Sequence, residues 1–254
     1  MKDKPVPTKL SVNINKIATL RNTRTLNLPS VTHFAKIALD AGAHGITIHP
    51  RPDARHIRPD DVDALADLLK AYPHAEFNIE GNPFFDFMPH IRRVRPTQCT
   101  LVPDSVDAFT SNQGWTLTDD TCEKLRPLIA EMKSLGSRVS LFMDADSPPP
   151  HIEIAKSLGA DRIELYTEPY AAAFAKGGAA LETSLTQFAN AAKLAEAAGL
   201  HLNAGHDLNL ANLPPFLKRI PTLAEVSIGH ALIADALEFG MNETVKKYIM
   251  ACNP

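Results

Sequence analysis

"RVSLFMDADSPPPHIEIAKSLGADRIELYT" (residues 138–167) contains a complete structural unit and the start of the next. RVSLFMD (138–144) is a short strand-like run, and Ser147 with three prolines ends it. HIEIAKSLG (151–159) has a helical pattern that stops at Gly159, and DRIELYT (161–167) returns to strand. A glycine that ends a helix just before a strand is the turn chemistry of alternating β and α elements.

The alternation extends in both directions. Strand-like runs are LSVNI (10–14), HGITIH (44–49), AEFNIE (75–80), QCTLV (98–102), LHLNA (200–204) and AEVSIG (224–229), which with the two above make eight. Most are rich in Val, Ile or Leu, as strands covered by helices should be. Between them, Pro29-Ser30 opens a helical segment to Ala41. Arg58-Pro59-Asp60 opens DVDALADLLKAY, whose Val62, Leu65, Leu68 and Leu69 share one face. Thr118 caps DDTCEKLRPLIAEMKSLG, in which Pro127 marks a kink or a break. LETSLTQFANAAKLAEAAG ends at Gly199, and GGAA (177–180) reads as a loop before it. Three turns resemble one another: DAGAHGITI (40–48), KSLGADRIEL (156–165) and EAAGLHLNA (196–204). One geometric problem solved three times accounts for the likeness.

Eight βα units of roughly 30 residues predict an α/β fold, a single (β/α)8 TIM barrel with extra helices, in which residues 1–254 are one domain. The competing fold is an open doubly wound sheet. It is disfavoured because the first strand leads into NINKIATLRNTR (13–24) rather than a glycine-rich dinucleotide fingerprint. The stretch PDSVDAFTSNQGWTL (103–117) is long for a βα loop and suits a lid or binding loop.

Composition narrows the function. The chain has 254 residues, 44% of them hydrophobic, and a formal net charge of −3. That balance argues against broad binding to nucleic acid or to anionic membranes, so any anion recognition must be local. MKDKPVPTKL at the start has no apolar core of a signal peptide, and no apolar run approaches the roughly 20 residues of a membrane span. The three cysteines, Cys99, Cys122 and Cys252, show no paired spacing and read as reduced thiols of a cytosolic protein. The alternative for Cys99, in a strand, is a nucleophile.

In such barrels chemistry sits where strands end and βα loops begin. Those positions hold Asn13 and Asn15, His49 and Arg51, Glu80, Pro103, Asp144, Glu164 with Tyr166 and Thr167, Asn203 and His206, then Gly229 and His230. Polar or titratable groups stand at seven of the eight ends, which favours an enzyme over a scaffold. Each also has a structural reading. Glu80 could simply pair with an arginine. Glu164 could point into the barrel, where a carboxylate needs partners. Asp144 and Asp146 could cap the next helix. Gly-His occurs in both NAGHDL (203–208) and SIGHAL (227–232), where glycine would let a ligand approach and a helix start could hold phosphate. His49, His206, His230, Glu80, Glu164 and Asp144 could also ligate a metal, although no H-x-H or H-x-x-E-H spacing is present and Arg51 would crowd a cation at His49.

Taken in order, SVNINKIATLRNTR, DAGAHGITIHPRPDARHI, FNIEGN, TLVPD, VSLFMDAD, RIELYTEPYA, LNAGHDL and VSIGHALI make nearly the whole chain resemble the pyridoxine 5′-phosphate synthase family. The resemblance implies a cytoplasmic barrel, usually a homo-octamer, with no metal or organic cofactor. It implies condensation of 3-amino-2-oxopropyl phosphate with 1-deoxy-D-xylulose 5-phosphate to pyridoxine 5′-phosphate, phosphate and water. By the same resemblance His49 and Glu80 accept protons, His206 donates one, and Glu164 is a carboxylate that stabilises a transition state. Arg51, His56 and Thr110 match positions that hold the deoxyxylulose phosphate. Asn13, Arg24, Gly229 and His230 match positions that hold the amino-ketone phosphate. Two places depart from the family's usual pattern. Asn15-Lys16 stands for an Asp-His pair that touches the sugar, and Asp207 stands for a glycine that binds through its backbone.

The chemistry suits the residues. Ring closure moves several protons, which imidazoles near neutrality can give and take. Glu80 can act as a base if burial raises its pKa. Two phosphates anchor the reactants near one another. The competing functions are a metal-dependent sugar-phosphate isomerase or aldolase on the same barrel, and a non-catalytic barrel that binds phosphometabolites. Chelation tests the first; binding without turnover marks the second.

Overall fold

The computed structural model describes residues 7–253. The stretch read above for a leader lies partly outside them, at residues 1–6, as does residue 254 of the single-domain span. The elements run β1 (Lys9–Asn13), α1 (Asn15–Asn22), α2 (Val31–Asp40), β2 (Gly45–Ile48), α3 (Pro59–Leu69), β3 (Glu76–Gly81), α4 (Met88–Val94), β4 (Gln98–Leu101) and α5 (Asp119–Ser134). They continue β5 (Arg138–Met143), α6 (Pro149–Ser157), β6 (Arg162–Tyr166), α7 (Glu168–Lys176), α8 (Gly178–Ala197), β7 (His201–Gly205), α9 (Leu213–Arg219), β8 (Leu223–Ile228), α10 (His230–Phe239) and α11 (Met241–Ala251). Each strand pairs in parallel with the next, and β8 closes on β1. The closed barrel with its surrounding helices is the (β/α)8 architecture that the strand count predicts.

The helix ends explain the three similar turns. Gly42, Gly159 and Gly199 all have positive φ, at 102°, 100° and 71°. The next residue in each case donates its N–H five residues back: Ala43 to Ala38, Ala160 to Ala155 and Leu200 to Ala195. This is a Schellman closure, which satisfies carbonyls at the helix end and turns the chain toward the next strand. Ser30 and Thr118 cap α2 and α5, accepting from His33 N and Thr121 N. Pro127 does not break α5, since one helix runs through it. The loop expected at 177–180 is shorter than read, because Gly178 already begins α8.

Strand parity sets up the site. Outward residues such as Leu10, Val12, Ile46, Ile48, Ile79, Leu141 and Ile163 are fully buried beneath the helices. The alternate residues point into the barrel and are mostly polar. Gln98 of β4 donates across it to Glu225 of β8 at 3.4 Å, and Arg162 of β6 reaches the same carboxylate at 3.2 Å. Lys9 meets Glu76 at 2.5 Å, and Arg138 also pairs with Glu76. Above this charged layer Ser11, Thr47, Asn78 and Thr100 join hand to hand at 2.7–3.3 Å. Charges survive inside because they are paired. No helix among the described residues is long and apolar enough to cross a membrane.

Candidate active site

The polar interior opens at the C-terminal ends of the strands into a cavity of about 460 Å³. Its wall includes Asn13, Asn15, Lys16, His49, Arg51, His56, Glu80, Thr110, Glu164, His206, Asp207, Gly229 and His230. Of the residues to which the family resemblance gives a role, Arg24 alone is not part of this wall, being exposed in the turn after α1; of the strand-end residues, Pro103, Asp144, Tyr166, Thr167 and Asn203 do not line it either. Arg55, Thr19, Ser111 and Phe142 also line the cavity, beyond the residues selected. Arg55 belongs to the same basic stretch as Arg51 and His56, so its signal lay in the sequence.

The acid–base groups face one another. Nδ1 of His49 lies 3.8 Å from Oε2 of Glu80, too long for a hydrogen bond. Asn13 Nδ2 donates to the same oxygen at 3.4 Å. Among the described residues no arginine pairs with Glu80, so its simple ion-pair reading does not hold there. Burial, with Asp104 nearby, raises the Glu80 carboxyl to about 7. Burial lowers His49 well below the ordinary imidazole range, and the neighbouring Arg51 and His56 add to this. His49 is therefore a neutral base at pH 7. Glu164 points inward, 3% exposed, and one carboxyl oxygen has no protein partner. Burial and the nearby Glu80 and Glu225 raise it well above the carboxylate range. Its surroundings therefore disfavour the charged form.

The basic stretch does two jobs. Arg51 pairs with Asp104 at 2.5 Å and donates to Ala108 O at 3.0 Å. Ser111 donates to the same Asp104 carboxylate at 2.7 Å, and Arg55 donates to Ala108 O at 3.1 Å. Two guanidiniums thus hold loop 103–117 over the cavity while facing into it. His56 accepts from Ile57 N through Nδ1 at 2.9 Å, so Nε2 carries its proton. Burial, then Arg51, lowers its pKa to about 4. His56 therefore offers a hydrogen bond, not a charge.

Other expected roles change. Asp144 does not cap α6; it accepts from Gly114 N at 3.0 Å and anchors the far end of loop 103–117. Pro148 occupies the cap position, and Asp146 is exposed. A Cβ on Gly205 would lie 2.9 Å from Glu164 Oε1, and one on Gly229 would lie 3.1 Å from the Asn13 side chain. These glycines make room for protein groups, and Gly229 also lines the cavity. No side chain caps α10, which starts at His230 on the cavity wall. Asn15 accepts from His49 N at 2.9 Å, so it holds the end of β2 in place. Cys99 is fully buried on the outer face of β4, and burial pushes its thiol up to about 12, which removes the nucleophile reading. Among the described residues no three His, Cys, Asp or Glu side chains are grouped as a metal would need.

The family model described as "Pyridoxal phosphate biosynthesis protein PdxJ" matches residues 10–254. The chain belongs to the pyridoxine 5′-phosphate synthase family. A pyridoxine 5′-phosphate synthase of Albidiferax ferrireducens is 55% identical over 247 residues, covering 95% of this chain and 96% of that protein. One from Xanthomonas axonopodis pv. citri is 53% identical and covers 95% of each chain. The likeness in fold extends further. A tryptophan synthase chain of M. tuberculosis superposes with TM-score 0.66 at 9% identity, covering 97% of this chain and 94% of that one. The tryptophan synthase α-subunit of Pyrococcus furiosus gives 0.61 at 11% identity, covering 97% of each. At such identities these two show a shared barrel only. Membership of the pyridoxine 5′-phosphate synthase family makes this chain an enzyme of vitamin B6 biosynthesis.

Proposed function

We propose that the cavity condenses 3-amino-2-oxopropyl phosphate with 1-deoxy-D-xylulose 5-phosphate, releasing pyridoxine 5′-phosphate, inorganic phosphate and water. The observation that supports this most is the meeting of His49, Glu80, Glu164 and His206 on one wall with Lys16, Arg51, Arg55 and His230 around them. Proton carriers at the centre and phosphate-binding groups at the rim suit two phosphorylated reactants.

In this reading Arg51, His56 and Thr110 hold the sugar phosphate. Asn13, Gly229, His230 and the uncapped start of α10 hold the amino-ketone phosphate. Anchoring both ends presents amine to carbonyl, so much of the entropic barrier is met by binding. His49, held neutral, accepts a proton; Glu80, near 7, accepts a second. His206 donates one to a leaving oxygen, and Glu164, facing the same cavity, stabilises the transition state. Lys16 attracts phosphate from the first turn of α1. Arg24, on the exposed turn after α1, reaches the amino-ketone phosphate only by loop movement or from another subunit. The enzyme works as a homo-octamer in the cytoplasm, and the described residues 7–253 form one barrel domain.

Incubation of the protein with both phosphates, followed by detection of pyridoxine 5′-phosphate, tests the reading. Glu80→Gln and His206→Asn should each abolish ring formation and keep the fold. Strict loss of activity on chelation would instead favour a metal-dependent isomerase or aldolase.

A further inference from the structure

Asp207 enters the site by position, yet its side chain does something specific. Its carboxylate oxygen Oδ2 contacts Nδ1 of His206. On the opposite side of the same ring, Nε2 lies 2.8 Å from the hydroxyl of Thr110, which sits on loop 103–117. The rings of Tyr166 and His206 pack edge-to-face with centroids 5.5 Å apart. His206 is therefore held from three directions.

The backbone is built to keep it there. His206 has φ of 74°, a left-handed conformation that is uncommon for a non-glycine residue. It persists because its neighbours are clamped. Asp207 N donates to Thr167 Oγ1 at 3.3 Å, and Thr167, fully buried, donates to Gly205 O. Asn212, 1% exposed, donates through Nδ2 to Asp207 O at 3.1 Å. Tyr170 in turn donates to Asn212 O at 2.7 Å. Three side chains, Thr167 between β6 and α7, Tyr170 of α7 and Asn212 of the β7–α9 loop, thus fix the peptide that carries the His–Asp pair.

The geometry points to Asp207 as a positioning residue that holds the Nδ1–H tautomer of His206, making Nε2 the atom that exchanges protons with the substrate. A carboxylate is an acceptor only, so the nitrogen facing it must carry hydrogen. Neutral His206 then accepts from Thr110 through Nε2. Protonated, it carries hydrogen on both nitrogens. The Nε2 proton passes to the substrate oxygen as that oxygen leaves carbon with the bonding pair, and Nδ1–H stays on the ring toward Asp207. Thr110 must turn away before substrate reaches Nε2, so closure of the loop and delivery of the proton involve the same hydroxyl. This inference rests on the reading of His206 as the proton donor.

Two measurements test it on the full chain. In 15N-histidine-labelled enzyme at a pH where the ring is neutral, His206 is identified as the resonance lost in His206→Asn. It should show hydrogen on Nδ1 and a bare Nε2; Asp207→Ala should relax this to a mixture. In the assay with both phosphates, Asp207→Asn should lower kcat about 10- to 100-fold and leave both KM values within about twofold. The loss is smaller than the roughly 10⁴ of a fully buried His–Asp pair because water reaches this carboxylate, 35% exposed. A bare Nδ1 in the wild type overturns the inference. So does a variant that raises one KM and spares kcat, since Asp207 would then be a substrate contact. If the wild type makes no pyridoxine 5′-phosphate, the functional reading fails, and the spectrum of the free enzyme still decides the tautomer.

Discussion

Glu80→Gln should make the protein inactive and, at alkaline pH, more stable. Burial raises the Glu80 carboxyl from 4.5 to about 7. Below pH 4.5 the folded and unfolded chains both carry the neutral acid, and substitution by the neutral amide changes little. Between 4.5 and 7 the unfolded chain gives up a proton that the folded chain retains, so wild-type stability declines as pH rises. Above 7 the decline is complete. At about 1.4 kcal/mol per pH unit over this interval it amounts to about 3 kcal/mol. Gln carries no charge at any pH and escapes the decline. Its amide oxygen can still accept from Asn13 Nδ2, which keeps any pH-independent offset within about 1 kcal/mol. Urea unfolding at fixed protein concentration should therefore show wild type and variant alike near pH 4.5, and the variant ahead by about 3 kcal/mol at pH 8. Ring formation should fall at least about 100-fold in the same variant, because the base is gone. An identical stability difference at both pH values would refute a Glu80 that keeps its proton when folded. Full activity would refute its role as a base.

Three further outcomes follow from the same geometry. Asp104→Asn leaves the guanidinium of Arg51, 5% exposed, without its partner, and should cost about 3 kcal/mol in unfolding experiments. Inorganic phosphate should then raise Tm more in the variant than in the wild type, since an anion replaces the lost charge; equal shifts would argue that Arg51 does not face the phosphate site. Gly114→Ala places a Cβ 2.4 Å from Asp144 N and 2.5 Å from Met143 Cα, which are backbone atoms and cannot rotate away. Loop 103–117 must lift, so KM should rise several-fold with little change in kcat for any substrate already bound; unchanged kinetics would show that the loop takes no part in binding. Cys99→Ser should retain full activity, and iodoacetamide should leave Cys99 unmodified in the folded enzyme; inactivation traced to Cys99 by mass spectrometry would restore the nucleophile reading.

The strands were legible because each is short and apolar on its outward face, and β2, β5, β6 and β7 each follow a helix closed by a glycine, at Gly42, Gly136, Gly159 and Gly199; every expected strand lies within one residue of its observed bounds at each end. The smaller helices were harder to read. α4, α7 and α9 span seven, nine and seven residues, too short for a periodic stripe, and each announces itself only by a proline in its first turn, at Pro89, Pro169 and Pro214. α1 begins directly after β1 with no side-chain cap, which left NINKIATLRNTR unassigned. Asp104 was invisible for a different reason. An aspartate after a proline in a long loop looks solvated, and its partner Arg51 lies 53 residues away, beyond any local pattern. What makes the site intelligible in one dimension is parity. Thr47 and His49, Asn78 and Glu80, and Arg162 and Glu164 are two apart, and all point into the barrel, whereas Ile48, Ile79 and Ile163 point out. A slip of one residue in any of these strands would bury an ionisable group beneath a helix and expose an isoleucine to the cavity. The apolar residues that hold the barrel together therefore also aim its acids and bases, and a sequence of alternating identity, such as GITIH or EFNIE, encodes both at once.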